Sequence, residues 1–137
     1  MNSYARLALF VSLPFLVAGC ADLVVTSVSE GPFTGPLLQM KATVKNEGWA
    51  DAPASTTKVE VKTPTSASFT QVATTATPAL PRGQQINLPV WHFHPSQFVP
   101  QGQCFDARVC ADSSNAVFEG WVGDSNNCRT KSICNGP

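Results

Sequence analysis

The sequence predicts an all-β fold, a seven-stranded antiparallel β-sandwich of the immunoglobulin or fibronectin type III kind. Three observations predict it. Short runs of alternating apolar and polar residues recur after residue 20, and Gly, Pro and Asn residues separate them. Beyond that residue, no long segment has the 3.6-residue periodicity of an amphipathic helix. Charged residues form only 13% of the 137 residues, whereas Thr, Ser and Val are frequent, as is typical of β-rich domains.

The first nineteen residues differ from the rest of the chain. A short polar start with one Arg precedes an apolar run over 7–17, and two small residues then precede Cys20. This order is typical of a secretory signal peptide, and the apolar run is shorter than the roughly 20 residues that a membrane-spanning helix needs. We therefore predict a signal peptide over 1–19 and a single domain over 20–137.

Residues 17–20, with the sequence Val-Ala-Gly-Cys, resemble a bacterial lipobox. In a lipobox the cysteine is lipidated and becomes the first residue of the mature protein. The resemblance implies a lipid on Cys20, attachment to a membrane and a place in the cell envelope. Because Ala21 rather than Asp follows the cysteine, the usual sorting of lipoproteins favours the outer membrane of a diderm bacterium. The alternative is a secreted protein cut elsewhere, with Cys20 an ordinary thiol.

Seven strands are predicted in the mature chain, at about 23–29, 38–45, 56–63, 68–75, 85–93, 103–111 and 128–133. The second strand has a clear period of two, with Leu38 and Val44 on its apolar face and lysines on the other. The stretch 30–36 contains Gly and Pro, and it is expected to end the first strand and to form the turn before the second one. Pro89 places the fifth strand at a sheet edge or at a bulge, where the inward face changes parity.

Four cysteines remain after Cys20, and their spacing predicts how they pair. Cys104 and Cys110 are six residues apart, and so are Cys128 and Cys134. If the last two strands pair antiparallel, one register places Cys104 opposite Cys134 and Cys110 opposite Cys128, at a separation that suits disulfides. Pairing within a strand fails because six residues span roughly 20 Å. We predict these two disulfides in an oxidising compartment. The alternative is a zinc site, although zinc cysteines are usually closer in sequence.

Four motifs in order resemble the CARDB family, the cell-adhesion-related domains of bacteria. Residues 43–52 resemble the family's V-x-N-x-G turn, 21–25 its first strand and 80–84 its L-x-x-G-[EQ] turn. The family's signature before the last strand matches side chains of the long excursion 112–127: Asp112, Asn115, Val117, Glu119, Asp124, Asn126 and Asn127. The resemblance implies an immunoglobulin-like sandwich associated with adhesion and binding rather than catalysis.

Three aromatic side chains, Trp49, Phe118 and Trp121, are candidate partner-binding residues. Phe118 and Trp121 lie in the excursion, and Trp49 follows the tight turn of residues 46–48. If they are exposed, they can contact a protein or glycan partner, as aromatic residues do at interaction hot spots. If they are buried, they close the end of the sandwich instead, which is the interpretation that we prefer for Val117.

Two metal sites are weaker candidates. His92 and His94 are two residues apart on a strand, so both imidazoles point the same way and could hold copper or zinc. Two ligands are too few, and the simpler interpretation places both at the surface, opposite buried Trp91 and Phe93. The Asp, Asn and Glu oxygens of 112–127 suit calcium. Such residues are also common in turns, and their spacing is not that of an EF-hand. We predict no cofactor.

Composition and motifs also indicate which functions are absent. Lys and Arg total nine and Asp and Glu total nine, with no basic cluster that would track a nucleic-acid backbone. No nucleophile motif or phosphate-binding glycine loop occurs in the sequence. We predict a non-enzymatic, membrane-anchored module with a single binding or adhesion-related domain. The alternatives are a metal-handling envelope protein and a structural accessory subunit of an envelope complex.

Overall fold

Seven strands form the domain in the computed structural model, which describes residues 19–119 and 126–136. They are β1 (Leu23–Thr34), β2 (Leu37–Asn46), β3 (Ser55–Lys62), β4 (Thr70–Thr77), β5 (Gln85–Phe93), β6 (Cys104–Cys110) and β7 (Cys128–Cys134). A single 3-10 turn, Pro95–Gln97, lies between β5 and β6. Within the described residues, no helix is long and apolar enough to cross a membrane. Residues 1–18 of the predicted signal peptide and Trp121 lie outside the described residues.

The strands form two antiparallel sheets, one of order β1-β2-β5 and one of order β4-β3-β6-β7. This confirms the all-β, seven-stranded sandwich that the alternating runs predict. Apolar side chains on the inner faces of both sheets form one core, since an antiparallel sheet buries every second residue. The fully buried members include Leu23, Met40, Val44, Val59, Phe105, Val109 and Ile133.

The first strand is longer than predicted. The predicted break at Glu30-Gly31-Pro32 is wrong, because β1 continues to Thr34 and stays paired with β2. A register shift between Glu30 and Phe33 places Gly31 and Pro32 in a bulge, where the missing N–H of proline interrupts no ladder hydrogen bond. The turn is shorter as a result, with Gly35 at a φ of 62° and Pro36 after it.

The fifth strand has the predicted bulge and lies at a sheet edge. Trp91 pairs with Met40 and Pro89 pairs with Lys41, so Val90 is the extra residue of β5. The bulge changes the inward parity, which leaves both Val90 and Phe93 buried. Trp91 was expected to be buried, but it is only partly buried and packs against the core.

The last two strands pair in the predicted register. Cys104 faces Cys134 and Cys110 faces Cys128 in the β6–β7 ladder, and each pair forms a disulfide with Cα atoms 4.0 Å apart. Both predicted disulfides are therefore present. Among the described residues, Cys20 is the cysteine that forms no disulfide.

The strand directions define two ends of the sandwich. We call the end at which β1 begins the proximal end, and it contains Cys20, the loop 47–54, the turn 80–84 and residues 111–119. The opposite, distal end contains the β1–β2 hairpin tip, the segment 94–103 and the end of β7. The Cys110–Cys128 disulfide lies at the proximal end and Cys104–Cys134 lies at the distal end.

Candidate functional site

The chain just before β1 is fixed to the loop that follows β2. The Trp49 N–H donates to the Cys20 carbonyl and the Glu47 N–H donates to the Asp22 carbonyl, both at 2.8 Å. This close approach requires glycine between the two donors, because a Cβ on Gly48 would collide with the Cys20 carbonyl. The backbone of Cys20 is therefore part of the folded sandwich, three residues before β1 begins.

Asn46 joins three segments of the proximal end. Its side chain is fully buried, and its Oδ1 accepts from the N–H groups of Asp22, at 3.2 Å, and Gly48, at 3.1 Å. Its Nδ2 donates to the carbonyls of Ala50, at 2.8 Å, and Leu80, at 2.9 Å. One amide thus uses all four of its hydrogen-bonding positions, which explains why the N-x-G turn needs asparagine.

The turn 80–84 is held to the same residue through the backbone. The Asn46 N–H donates to the Gln84 carbonyl at 2.9 Å, and the Gly83 N–H donates to the Asn46 carbonyl at 3.0 Å. Gly83 has a φ of 76°, a left-handed conformation that glycine adopts without a steric cost. Two sequence motifs that are far apart in the chain therefore form one structural unit.

Glu119 ties the excursion after β6 to the start of β1. Its Oε1 accepts from the Leu23 N–H at 2.8 Å, and its Oε2 accepts from Asn127 Nδ2 at 2.6 Å. Burial raises the pKa of the Glu119 carboxyl, and the negative charges of Asp112 and Asp22 raise it further, against the lowering effect of the two hydrogen bonds. The pKa is raised overall because desolvation is the largest of these effects.

The calcium alternative gains no support from the described part of the excursion. The carboxylate of Asp112 accepts from the backbone N–H groups of Ala116, at 2.8 Å, and Val117, at 3.0 Å. This is the local turn role that aspartate often has. Within residues 19–119 and 126–136, no three His, Cys, Asp or Glu side chains are grouped so as to hold a metal ion. Asp124 lies outside the described residues.

Two of the three candidate aromatic residues are exposed at the proximal end. Trp49 is 72% exposed and Phe118 is 75% exposed, whereas Val117 is buried as expected. Trp49 therefore does not form the buried lid that was its alternative role. The guanidinium of Arg82 lies 4.4 Å from the centre of the Trp49 ring, a cation–π contact.

Cys20 lies between these two aromatic side chains. It lines a groove of about 440 Å³ that Phe118 also lines, and a second groove of about 290 Å³ that Trp49 also lines. The proximal end is thus a surface with a central cysteine and an exposed aromatic ring on each side. The fold brings Trp49 and Phe118 together here although they are far apart in sequence.

The two histidines have separate, local partners. His92 is exposed and its Nε2 lies 2.9 Å from Gln39 Nε2. His94 Nδ1 accepts from the backbone N–H of Ser96 at 3.3 Å and lies 2.6 Å from its hydroxyl oxygen. It caps the 3-10 turn beyond β5. This Ser–His contact is an exposed turn cap, so it has the geometry of local structure rather than of a catalytic site.

A charged cluster lies on the outer face of the second sheet. The Glu60 carboxylate contacts Lys58 Nζ at 2.8 Å and Arg108 Nη2 at 2.7 Å. Burial raises the pKa of Glu60, but hydrogen bonds from Lys58 and Arg108 and their positive charges outweigh it, so the pKa is lowered. The Arg108 guanidinium also lies 4.0 Å from the centre of the Phe69 ring. These contacts stabilise β3 against β6 and form no cleft.

The hairpin tip exposes two apolar side chains that the sequence interpretation did not single out. Phe33 is 64% exposed and Leu37 is 38% exposed, one on each side of the Gly35-Pro36 turn. The signal was present in the sequence as Pro-Phe-Thr-Gly-Pro-Leu. Because Gly and Pro predicted that the first strand ends before this segment, Phe33 and Leu37 were not placed on paired strands.

The comparisons agree with this architecture, which is that of an immunoglobulin-like antiparallel β-sandwich domain. The family model CARDB matches residues 20–131, and the chain belongs to the CARDB family. This confirms the resemblance of the four motifs and indicates an adhesion-related module. The buried Asn46 and Glu119 lie in two of those motifs.

A solved structure shows the same fold. A CARDB domain from Pyrococcus furiosus, crystallised in complex with di-metal ions, superimposes with a TM-score of 0.62 at 19% identity, over 86% of this chain and 90% of that one. A beta-D-glucoside glucohydrolase from Trichoderma reesei gives a TM-score of 0.46 at 16% identity, over 85% of this chain and 18% of that one. The comparison with curated proteins finds no match.

Proposed function

We propose that this chain is a lipid-anchored, non-enzymatic binding module of the bacterial cell envelope. On this proposal a lipid on Cys20 holds the domain at the outer membrane of a diderm bacterium, and the domain binds a protein or glycan partner. The Val-Ala-Gly-Cys run and the membership of an adhesion-related family support it.

The observation that favours this function most is the position of Cys20. Its carbonyl is hydrogen-bonded to the Trp49 N–H, so a lipid on this residue would be attached to the sandwich without a flexible stalk. The domain would then lie against the membrane, and its orientation would be restricted. A binding role is favoured over catalysis because Asn46 and Glu119, two polar side chains buried at this end, are engaged in hydrogen bonds that hold backbone segments together.

The distal end is the surface that this arrangement leaves for a partner. β1 has 12 residues, which places the hairpin tip roughly 35–40 Å from Cys20 at the usual rise per residue. Phe33 and Leu37 are exposed there, and exposed apolar side chains are typical of interaction sites. A partner in the envelope could contact them without displacing the domain from the membrane.

Lipidation is tested directly on the full chain expressed in a diderm host. Mass spectrometry of the mature N-terminal peptide should find Cys20 as residue one with a diacylglyceryl adduct. The Cys20→Ser variant should lose the adduct and, because cleavage follows lipidation, should keep residues 1–19; expressed without them, the Cys20→Ser domain should be soluble. The Cys104→Ala/Cys134→Ala variant is the control, because it removes cysteines but keeps the lipidation site. An unmodified Cys20, or a full-length Cys20→Ser chain that is still cut before residue 20, would contradict the proposal.

Adhesion is tested on the soluble Cys20→Ser domain. Binding to envelope glycans and to purified outer-membrane proteins should be saturable, and Phe33→Ser together with Leu37→Ser should weaken it at least tenfold. The matched control changes two polar residues on the β2–β5 face, half-buried Thr43 and exposed Asn87, which hydrogen-bond one another. Equal affinity in both variants would exclude the hairpin tip as the binding surface.

A further inference from the structure

The proximal end places two exposed aromatic rings beside the cysteine that carries the proposed lipid. Trp49 and Phe118 are the most exposed of the large apolar side chains in the described residues, at 72% and 75%. Each lines a groove that Cys20 also lines. Two exposed aromatic side chains that line grooves with one cysteine form a surface of the kind that can contact a partner or a membrane.

We propose that Trp49 and Phe118 enter the boundary between headgroups and acyl chains of the bilayer to which Cys20 is attached. The proposal rests on the lipid anchor proposed above. The occupant of this surface is therefore a lipid bilayer, and the two rings fix the orientation of the sandwich on it. Aromatic side chains prefer this boundary because one part of the ring system is apolar and another is polar or polarisable.

The short connection between Cys20 and the sandwich is the first reason to choose a bilayer. The Cys20 backbone is held by the Trp49 N–H, so acyl chains on its sulfur reach the membrane only if the residues around it come close to the headgroups. Once the lipid is in the bilayer, it holds the aromatic rings close to the bilayer surface. This raises the effective concentration of that surface around the rings, as one binding site does for a second site linked to it. Two rings that bind weakly on their own are then sufficient to orient the domain.

The charges at the proximal end favour insertion of the rings over attraction to anionic lipid. Lys45 is paired with Glu47 at 3.1 Å, and the Asp51 carboxylate, which accepts from the backbone N–H of Arg82 at 2.8 Å, adds a negative charge beside that arginine. The described part of this surface has no basic cluster of the kind that binds anionic membranes. We therefore expect docking on zwitterionic lipid, with little dependence on ionic strength.

The polarity of Trp49 fits such a boundary. The Arg82 guanidinium lies 4.4 Å from the centre of the Trp49 ring. In the proposed arrangement this cation stays among the headgroups while the ring lies deeper, since Arg and Lys side chains at interfaces keep their charged ends in water. Phe118 has no polar group and follows buried Val117. It supplies the apolar contact on the other side of Cys20.

The experiment uses the lipidated full chain in phosphatidylcholine vesicles that contain brominated lipids. Bromine quenches tryptophan within the depth of about 5–10 Å that interfacial side chains reach. A Trp121→Phe background leaves Trp49 as the reporter of the proximal end, and Trp91 at the distal aromatic cluster as an internal reference. We expect strong quenching of Trp49, loss of most of this quenching in Trp49→Ser, and the same result at high salt.

Phe118→Ser and Phe33→Ser form the matched pair. The two residues are of the same type and similarly exposed, at 75% and 64%, but they lie at opposite ends. Phe118→Ser should reduce the quenching of Trp49 at least twofold, and Phe33→Ser should leave it unchanged. Urea midpoints of all variants show whether any of them has lost its fold.

The possible outcomes distinguish a failure of the lipid-anchor proposal from a failure of the bilayer-docking proposal. If mass spectrometry shows no lipid on Cys20, both proposals are overturned. If Cys20 is lipidated but Trp49 is not quenched, the anchor stands and the bilayer-docking proposal is overturned. Equal quenching in Phe118→Ser and Phe33→Ser also overturns it, since the ring beside Cys20 would then have no role in docking.

Discussion

At the proximal end, three buried polar side chains close the loops, whereas at the distal end backbone hydrogen bonds and aromatic packing do so. Asn46 and Glu119 bond backbone groups of distant segments, and Asp112 bonds the backbone of its own turn. The distal end instead packs the rings of Trp91, Phe93, Phe98 and Phe105 against one another in stacked, T-shaped and tilted contacts and exposes the apolar hairpin tip. This domain therefore uses specific, directional contacts around Cys20 and less specific ones at the other end.

The largest expected effect comes from removing both disulfides, one at each end. Removing Cys110–Cys128 or Cys104–Cys134 alone by paired alanine substitutions should lower the free energy of unfolding by about 2.5 kcal/mol, because each closes a loop of an unfolded chain that the other bond already restricts. Their sequence separations are 18 and 30, so the distal bond should contribute slightly more.

The two disulfide loops are nested, which gives a sharper test. Each bond constrains the unfolded chain less when the other is present, so removing both should cost about 6 kcal/mol, more than the sum of the two single losses. Urea unfolding of the three variants at one pH measures this. Strict additivity would contradict the assumption that the bonds act through the unfolded chain.

Asn46→Ala should be the most destabilising single substitution at the proximal end. It removes four hydrogen bonds and leaves buried partners unsatisfied, a loss of about 3–5 kcal/mol. Asn135→Ala is the distal control, because that side chain makes one bond, from Nδ2 to the Val99 carbonyl at 3.0 Å, which contributes about 1 kcal/mol. Urea midpoints at constant m-value measure both, and similar losses would show that the two ends are held alike.

The contribution of Glu119 to the free energy of unfolding should fall as pH rises. Burial raises its folded-state pKa above 4.5, so the folded state binds the proton more tightly than the unfolded one. The stabilisation is complete below pH 4.5 and is lost as pH rises through the raised pKa. Glu119→Gln should flatten this dependence, whereas Glu119→Ala should cost about 1–3 kcal/mol by leaving the Leu23 N–H unpaired.

Glu60 has the opposite pH dependence and serves as the control for Glu119. Its pKa is lowered, so its stabilisation is present above the unfolded-state pKa and is lost as pH falls through the folded-state value. Urea midpoints measured across the acidic range in Glu119→Gln and Glu60→Gln should therefore change slope in opposite directions. A common slope in both variants would contradict the assignment.

The smallest effect is expected for the exposed rings. In the soluble Cys20→Ser domain, Phe118→Ser and Phe33→Ser should each change the free energy of unfolding by less than about 0.5 kcal/mol, since neither ring is buried. Thermal unfolding of the two variants measures this. A large loss in either one would mean that the ring stabilises the fold rather than remaining available to a partner or a membrane.

The parts of the fold that follow a local pattern could be predicted from the sequence. The strict alternation in β2 and β6 identified their buried faces, and equal cysteine spacing fixed the β6–β7 register. The end of β1 could not be predicted, because Gly31 and Pro32 are compatible both with the end of a strand and with a bulge inside one. Only pairing with β2, a tertiary contact, distinguishes the two.

The candidate site was predictable in its residues but not in its contacts. Trp49 and Phe118 were visible as aromatic residues near turns, yet their exposure depends on which neighbours the fold brings to the proximal end. The structural role of Glu119 depends on the Leu23 N–H, 96 residues away in sequence. No local periodicity reports such a contact, so the sequence offered only a role in a turn or, as the weaker alternative, a calcium ligand.

The odd number of strands places the start of β1 and the end of β7 at opposite ends of the sandwich. β1 begins at the proximal end and β7 finishes at the distal end, so the polypeptide enters on one side of the sandwich and leaves on the other. A peptide fused after residue 136 would therefore start roughly 20 Å, the length of β7, from the proximal end. The domain can serve as a rigid spacer that keeps a C-terminal cargo at a set distance from whatever holds Cys20.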